Sequence, residues 1–105
     1  MTQFDNRDRD LEARLAEDQE LLFRILARRN RLLGQWAAGR MGLSEAETEA
    51  YAKDLVRADF EGGGGKDVVL KMLGDMTAAG VEVDENQIRE AIKVKLVEAR
   101  RQLIG

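Results

Sequence analysis

No proline interrupts the 105 residues of this chain. Proline is the residue that most reliably stops a helix, and without it only glycines oppose helix here, singly at positions 34, 39 and 42 and as a run at positions 62–65. Alanine, leucine, glutamate, lysine and arginine are abundant, and no segment alternates apolar and polar residues for long enough to read as a strand. The expected fold is all-α: a four-helix, bundle-like domain with a long first helix.

Caps and breaks set the boundaries. Leu11, Leu15, Leu22, Leu26 and Leu33 recur at steps of four and seven and lie on one stripe of a first helix, expected from about Asp8 to Arg40. Ile25, Leu32 and Trp36 widen the stripe in its second half, and Gly39 and Gly42 supply the stop. Ser44-Glu45-Ala46-Glu47 reads as a capping box opening a second helix, whose apolar face is expected to be Tyr51, Leu55, Val56 and Phe60. Gly62-Gly63-Gly64-Gly65 reads as an inter-helix loop. A third helix follows from about Asp67, with Val69, Met72, Leu73 and Met76 inward and Gly80 at its end. Asp84-Glu85-Asn86-Gln87 caps a fourth helix carrying Ile88, Ile92, Leu96, Ala99 and Leu103.

Composition narrows the chemistry. With no cysteine and no histidine there is no disulfide, no thiolate nucleophile, no zinc-thiolate site and no imidazole base or pH switch. The one serine, Ser44, is accounted for as a helix cap. No apolar run approaches the roughly 20 residues of a membrane span, and Met1-Thr2-Gln3-Phe4-Asp5 lacks a signal-peptide pattern. The expectation is a soluble intracellular protein that is not an enzyme, binds no cofactor or metal, and is monomeric.

The formal net charge of −3 conceals a division. Residues 1–20 hold seven acids and three arginines, residues 21–43 hold five arginines and no acid, and residues 44–61 hold six acids and two bases. A first helix of about 33 residues is roughly 50 Å long, whereas the others reach about 30 Å, so they cannot cover all of it. Residues 1–20 are therefore expected to be a mobile arm, and residues 21–105 the four-helix domain. On the arm, Phe4, Leu11 and Leu15 are the candidate anchors for a partner groove, with Asp5, Arg7, Glu12 and Arg14 as candidate charged contacts. By residue physics alone, a solvated tail is as good a reading.

Two further features invite a weaker anion or nucleotide reading: Arg28 and Arg29 in the basic stretch, and Gly64, Gly65 and Lys66 after the second helix. Lys66 is followed by Asp67 where a phosphate loop needs serine or threonine, and no strand precedes, so the P-loop pattern fails. The simpler expectation is a basic helix face pairing with the acidic second helix. Nucleic acid is not an expected partner, because neither a net basic surface nor aromatic stacking platforms are present.

Several segments occur in a specific order. Phe4-Asp5 and Arg7 come first, followed by Asp18-Gln19-Glu20-Leu21 and Phe23, then Ala27-Arg28-Arg29-Asn30. Leu33-Gly34, Trp36-Ala37-Ala38 and Gly42-Leu43 follow, then Ala50-Tyr51-Ala52-Lys53, Asp59-Phe60-Glu61 and Asp67-Val68. In this combination the chain resembles the ATPase inhibitor subunit zeta family of bacterial F-type ATP synthases. The resemblance implies a four-helix fold whose mobile N-terminal segment wedges into a catalytic interface of the ATP synthase head and blocks ATP hydrolysis, while the bundle anchors the subunit there. The implied partner is the head with its alpha, beta and gamma subunits. The implied location is the cytoplasmic face of the inner membrane, held there through the ATP synthase rather than by membrane insertion. The family tends to carry phenylalanine where this chain has Leu11 and Leu15, so this arm presents less aromatic area. The alternative is a weak nucleotide-sensing or adaptor module without strong inhibitory activity.

Overall fold

In the computed structural model the chain forms four helices: α1 (Thr2–Met41), α2 (Glu45–Gly62), α3 (Gly65–Ala78) and α4 (Glu85–Ile104). The structure describes the backbone of residues 2–62 and 65–105 and the side chains of residues 17–62 and 66–105. The all-α, four-helix expectation holds. The helix ends fall where local chemistry places them. Gly42 takes φ +72°, and the Leu43 amide donates to the Ala38 carbonyl at 3.0 Å, a left-handed glycine stop for α1. Gly80 does the same for α3 at φ +81°, with the Val81 amide donating to the Met76 carbonyl.

Both capping boxes form. The Glu47 amide donates to Ser44 Oγ at 3.2 Å, and the Ser44 amide donates to Glu47 Oε1 at 2.9 Å. Those hydrogen bonds hold the Glu47 carboxyl below the usual carboxylate range. At α4, Asp84 and Gln87 exchange the equivalent pair. The two boundaries that differ from expectation involve weak stop signals. The α1 backbone is helical from Thr2 rather than from about Asp8, since residues 2–10 contain nothing that breaks a helix. Helices α2 and α3 also take up Gly62 and Gly65, so the glycine break is shorter than the sequence indicates.

Helix α1 packs mainly against α2 and α4, and α3 closes the remaining side between them. Both flanking helices run antiparallel to α1: Phe60, near the end of α2, stacks on Phe23, and Arg28 donates to Gln102, near the end of α4. The core gathers around the C-terminal half of α1, where Leu33 meets Leu55, Val68, Met72, Met76 and Ile88, all fully buried.

Two expectations about burial need correction, and one buried residue was not anticipated. Leu22, assigned to the core stripe, is 54% exposed, at the level where α2 and α4 come to their ends. Phe60 is also outside the core, on the surface against Phe23. Val68, unassigned in the sequence, is fully buried beside Val69.

The tightest approach between helices is at Gly34. A Cβ placed there would lie 2.6 Å from the Ala52 Cα and 3.1 Å from its nitrogen, so α1 and α2 touch backbone to backbone. Backbone cannot swing aside as a side chain can. Gly34→Ala is expected to be net destabilising, because the overpacking cost of about 1–3 kcal/mol outweighs the helix preference of alanine of about 1 kcal/mol. Thermal melting should show a fall of several degrees, and an unchanged or raised midpoint would contradict the contact.

Candidate functional site

The part of α1 that its neighbours leave uncovered is the candidate site. Side chains from Glu17 to Arg24 are exposed, apart from a half-buried Leu21, and burial begins at Ile25. The molecule measures 64 × 24 × 22 Å, and its long dimension matches a 40-residue helix of about 60 Å. The segment from Thr2 to Arg24 accounts for roughly 35 Å of helix. The sequence-assigned contacts Phe4, Asp5, Arg7, Leu11, Glu12, Arg14 and Leu15 sit on this stretch of backbone, and their side chains lie outside the described residues. At its base Arg24 pairs with Glu20 at 2.8 Å, one turn away, an exposed pair worth a few tenths of a kcal/mol.

Just past the uncovered segment, α1 is fastened to α2 by a buried polar group. The Arg29 guanidinium donates through Nε and Nη2 to Asn30 Oδ1 and through Nη2 to Asp59 Oδ2 at 3.3 Å; Asn30 Nδ2 donates to the same Asp59 oxygen at 2.9 Å. Asn30 is fully buried, and Arg29 and Asp59 are each below a tenth exposed. Burial lowers the Arg29 pKa, and the Asp59 charge partly opposes that. No buried side-chain polar atom among the described residues lacks a partner, so the group is closed. It fixes α1 on α2 about one turn beyond the last uncovered residue.

A second polar contact ties α2 to α3. The Tyr51 hydroxyl donates to Asp75 Oδ2 at 3.0 Å, an oxygen that also accepts from Lys71 Nζ. Burial and the Asp75 carboxylate together push the Tyr51 pKa up.

The residues marked for an anion do not converge. Arg29 has its head group engaged by Asn30 and Asp59. Arg28 lines a groove between α1 and the end of α4, with Phe23, Arg24, Ala27, Arg31 and Leu103. Lys66 lines a different groove, between α3 and α4, with Val69, Asn86 and Arg89. Gly65 is the first residue of α3, and Gly64 lies outside the described residues. The expected pairing of the basic face with α2 is realised as one ion pair among the described residues, Arg29–Asp59. Arg31 faces a groove shared with Glu45 and Glu49 without pairing to either.

Sequence reasoning assigned no role to Phe23. Its ring stacks on Phe60, with centroids 4.2 Å apart and planes 19° from parallel, and it remains 53% exposed. The available signal was its position, where the acidic stretch of α1 gives way to the basic one.

A family model described as ATPase inhibitor subunit zeta matches residues 1–102. The chain belongs to the ATPase inhibitor subunit zeta family. A protein solved by solution NMR is 39% identical, superposes with a TM-score of 0.69, and aligns over 78% of this chain and 93% of its own. No curated protein matches. By family, then, this is an inhibitor subunit, a regulatory kind of protein, associated with an ATP synthase. No helix among the described residues is long and apolar enough to cross a membrane.

Several segments that carry the zeta-family resemblance have structural roles. Gly34 and Ala52 form the close crossing of α1 and α2, flanked by the core residues Leu33 and Tyr51. Arg29-Asn30 and Asp59 form the buried fastening. Trp36 lies half-buried beneath the Arg40 guanidinium, 4.7 Å from its ring centroid, and lines a groove with Val83, Ala91 and Val94.

Proposed function

We propose that this zeta-family subunit inhibits ATP hydrolysis by an F-type ATP synthase through its arm, residues 1–20, which enters a catalytic interface of the head as a helix and stops that interface from closing. The observation that carries this reading is the excess length of α1: its first 23 residues, Thr2–Arg24, precede Ile25, the first buried position among the described side chains. Residues 21–105 remain outside as the anchor. The block is mechanical, and the partner is the head with its alpha, beta and gamma subunits. That partner places the protein peripherally on the cytoplasmic face of the inner membrane.

Positions 11 and 15 lie one turn apart on the same helical stripe, so a groove that receives one leucine receives both. Burying each is worth about 1.5–3 kcal/mol. The acidic charges of the arm set its orientation and its rate of encounter. In a hydrolysis assay with the cognate enzyme, L11S/L15S is expected to raise the half-inhibitory concentration by roughly two orders of magnitude or more. An unchanged value for the double variant would remove these residues as anchors.

A further inference from the structure

We propose that the protein makes a second, preformed contact with the same partner at the root of the arm. Leu22, Phe23 and Phe60 dock on an apolar surface at the mouth of the groove that takes residues 1–20, and Arg28 and Arg31 meet carboxylates on its rim. This rests on the wedge reading above.

Leu22, Phe23 and Phe60 are 54%, 53% and 38% exposed, although fully buried Leu33, Leu55 and Val68 show that the fold is able to bury residues of this kind. The two rings are held against each other across α1 and α2. They are therefore ordered before any partner arrives, and docking them loses little side-chain entropy. The arm needs such help. Ordering each residue of the arm costs backbone entropy, and three apolar anchors on a twenty-residue segment offset only part of that.

Register identifies the occupant. Position 22 follows position 15 by seven residues and continues the stripe of positions 11 and 15. From residue 20 to residue 22 the helix rises about 3 Å, so whatever grips the arm to its end lies against Leu22 and reaches the level of the Phe23–Phe60 stack beside it. Phe23 also lines the groove that holds Arg24, Arg28 and Arg31. Among the described residues neither Arg28 nor Arg31 takes part in an ion pair. A second copy of this chain is a poor occupant, because it would bring the same arginines face to face. The partner surface that fits is apolar with an acidic edge.

The test uses the full chain and the cognate ATP synthase head. F23S/F60S is expected to raise the half-inhibitory concentration roughly tenfold while leaving inhibition at saturation intact, since the arm still blocks. L22S and R28E/R31E leave the ring stack in place and should weaken inhibition in the same direction. V94S/V97S, on the exposed face of α4, should leave it unchanged. If the unsubstituted protein binds and the folded patch variants inhibit equally well, the second contact is wrong and the wedge stands. Equal loss in the α4 variant also overturns it, as does a dimer mass that only the patch variants abolish. If the unsubstituted protein does not bind the head at all, both readings fall.

Discussion

Replacing Asp59 with alanine is expected to destabilise the domain by about 3–5 kcal/mol, the effect of leaving a buried charge without its partner. Asp59 Oδ2 accepts from both Arg29 and Asn30. Its removal leaves the guanidinium with Asn30 alone and leaves the Asn30 amide without an acceptor. Burial already outweighs the pull of Asp59 in lowering the Arg29 pKa, so little else in that environment favours the charge. A loss of this size is a large part of the 5–15 kcal/mol that holds a typical domain together, so the urea midpoint should fall steeply. The pair itself is replaceable. R29M/D59N removes the buried charge and keeps an acceptor for Asn30, so it should recover most of the loss. A fall of less than about 1 kcal/mol for Asp59→Ala, or a double variant no better than the single, would show that the group carries no such strain.

That buried group marks where reading the sequence succeeded and where it stopped. Helix ends were legible because caps are local chemistry: Ser44 with Glu47, Asp84 with Gln87, Gly42 and Gly80 act within a few residues of themselves. The core was legible where the apolar spacing is dense, as at Val69, Met72 and Met76. Hydrophobic periodicity failed where polar residues occupy the inner face. Arg29 and Asn30 sit in the same buried stripe as Ile25, Leu33 and Ala37, and their partner lies 29–30 residues away. It failed in the opposite sense at Leu22, whose stripe continues past the ends of the helices meant to cover it. Where a neighbouring helix ends is a tertiary fact that α1 does not encode. Gly34 was visible only as one residue of a family motif, and its reason, the Ala52 backbone, appears only once α1 and α2 are crossed.

That α1 outruns its neighbours was anticipated by length alone, from one long helix and three short ones. No described core residue precedes Ile25, so residues 21–105 carry the whole described core. Removing residues 1–20 is expected to leave that domain folded, with a thermal midpoint close to that of the full chain. Four-helix packing around Leu33, Leu55, Met72 and Ile88 needs none of the deleted residues.

Inhibition should respond in the opposite way, because a bundle without its arm has nothing to insert. The measurement that bears most directly on the wedge is ATP hydrolysis by the cognate ATP synthase, titrated with the full chain and with residues 21–105. The full chain is expected to inhibit, and the truncated, folded chain to leave hydrolysis at its uninhibited rate even at saturating concentration. A truncated chain that inhibits as strongly as the full protein would place the inhibitory surface on the bundle and contradict the account.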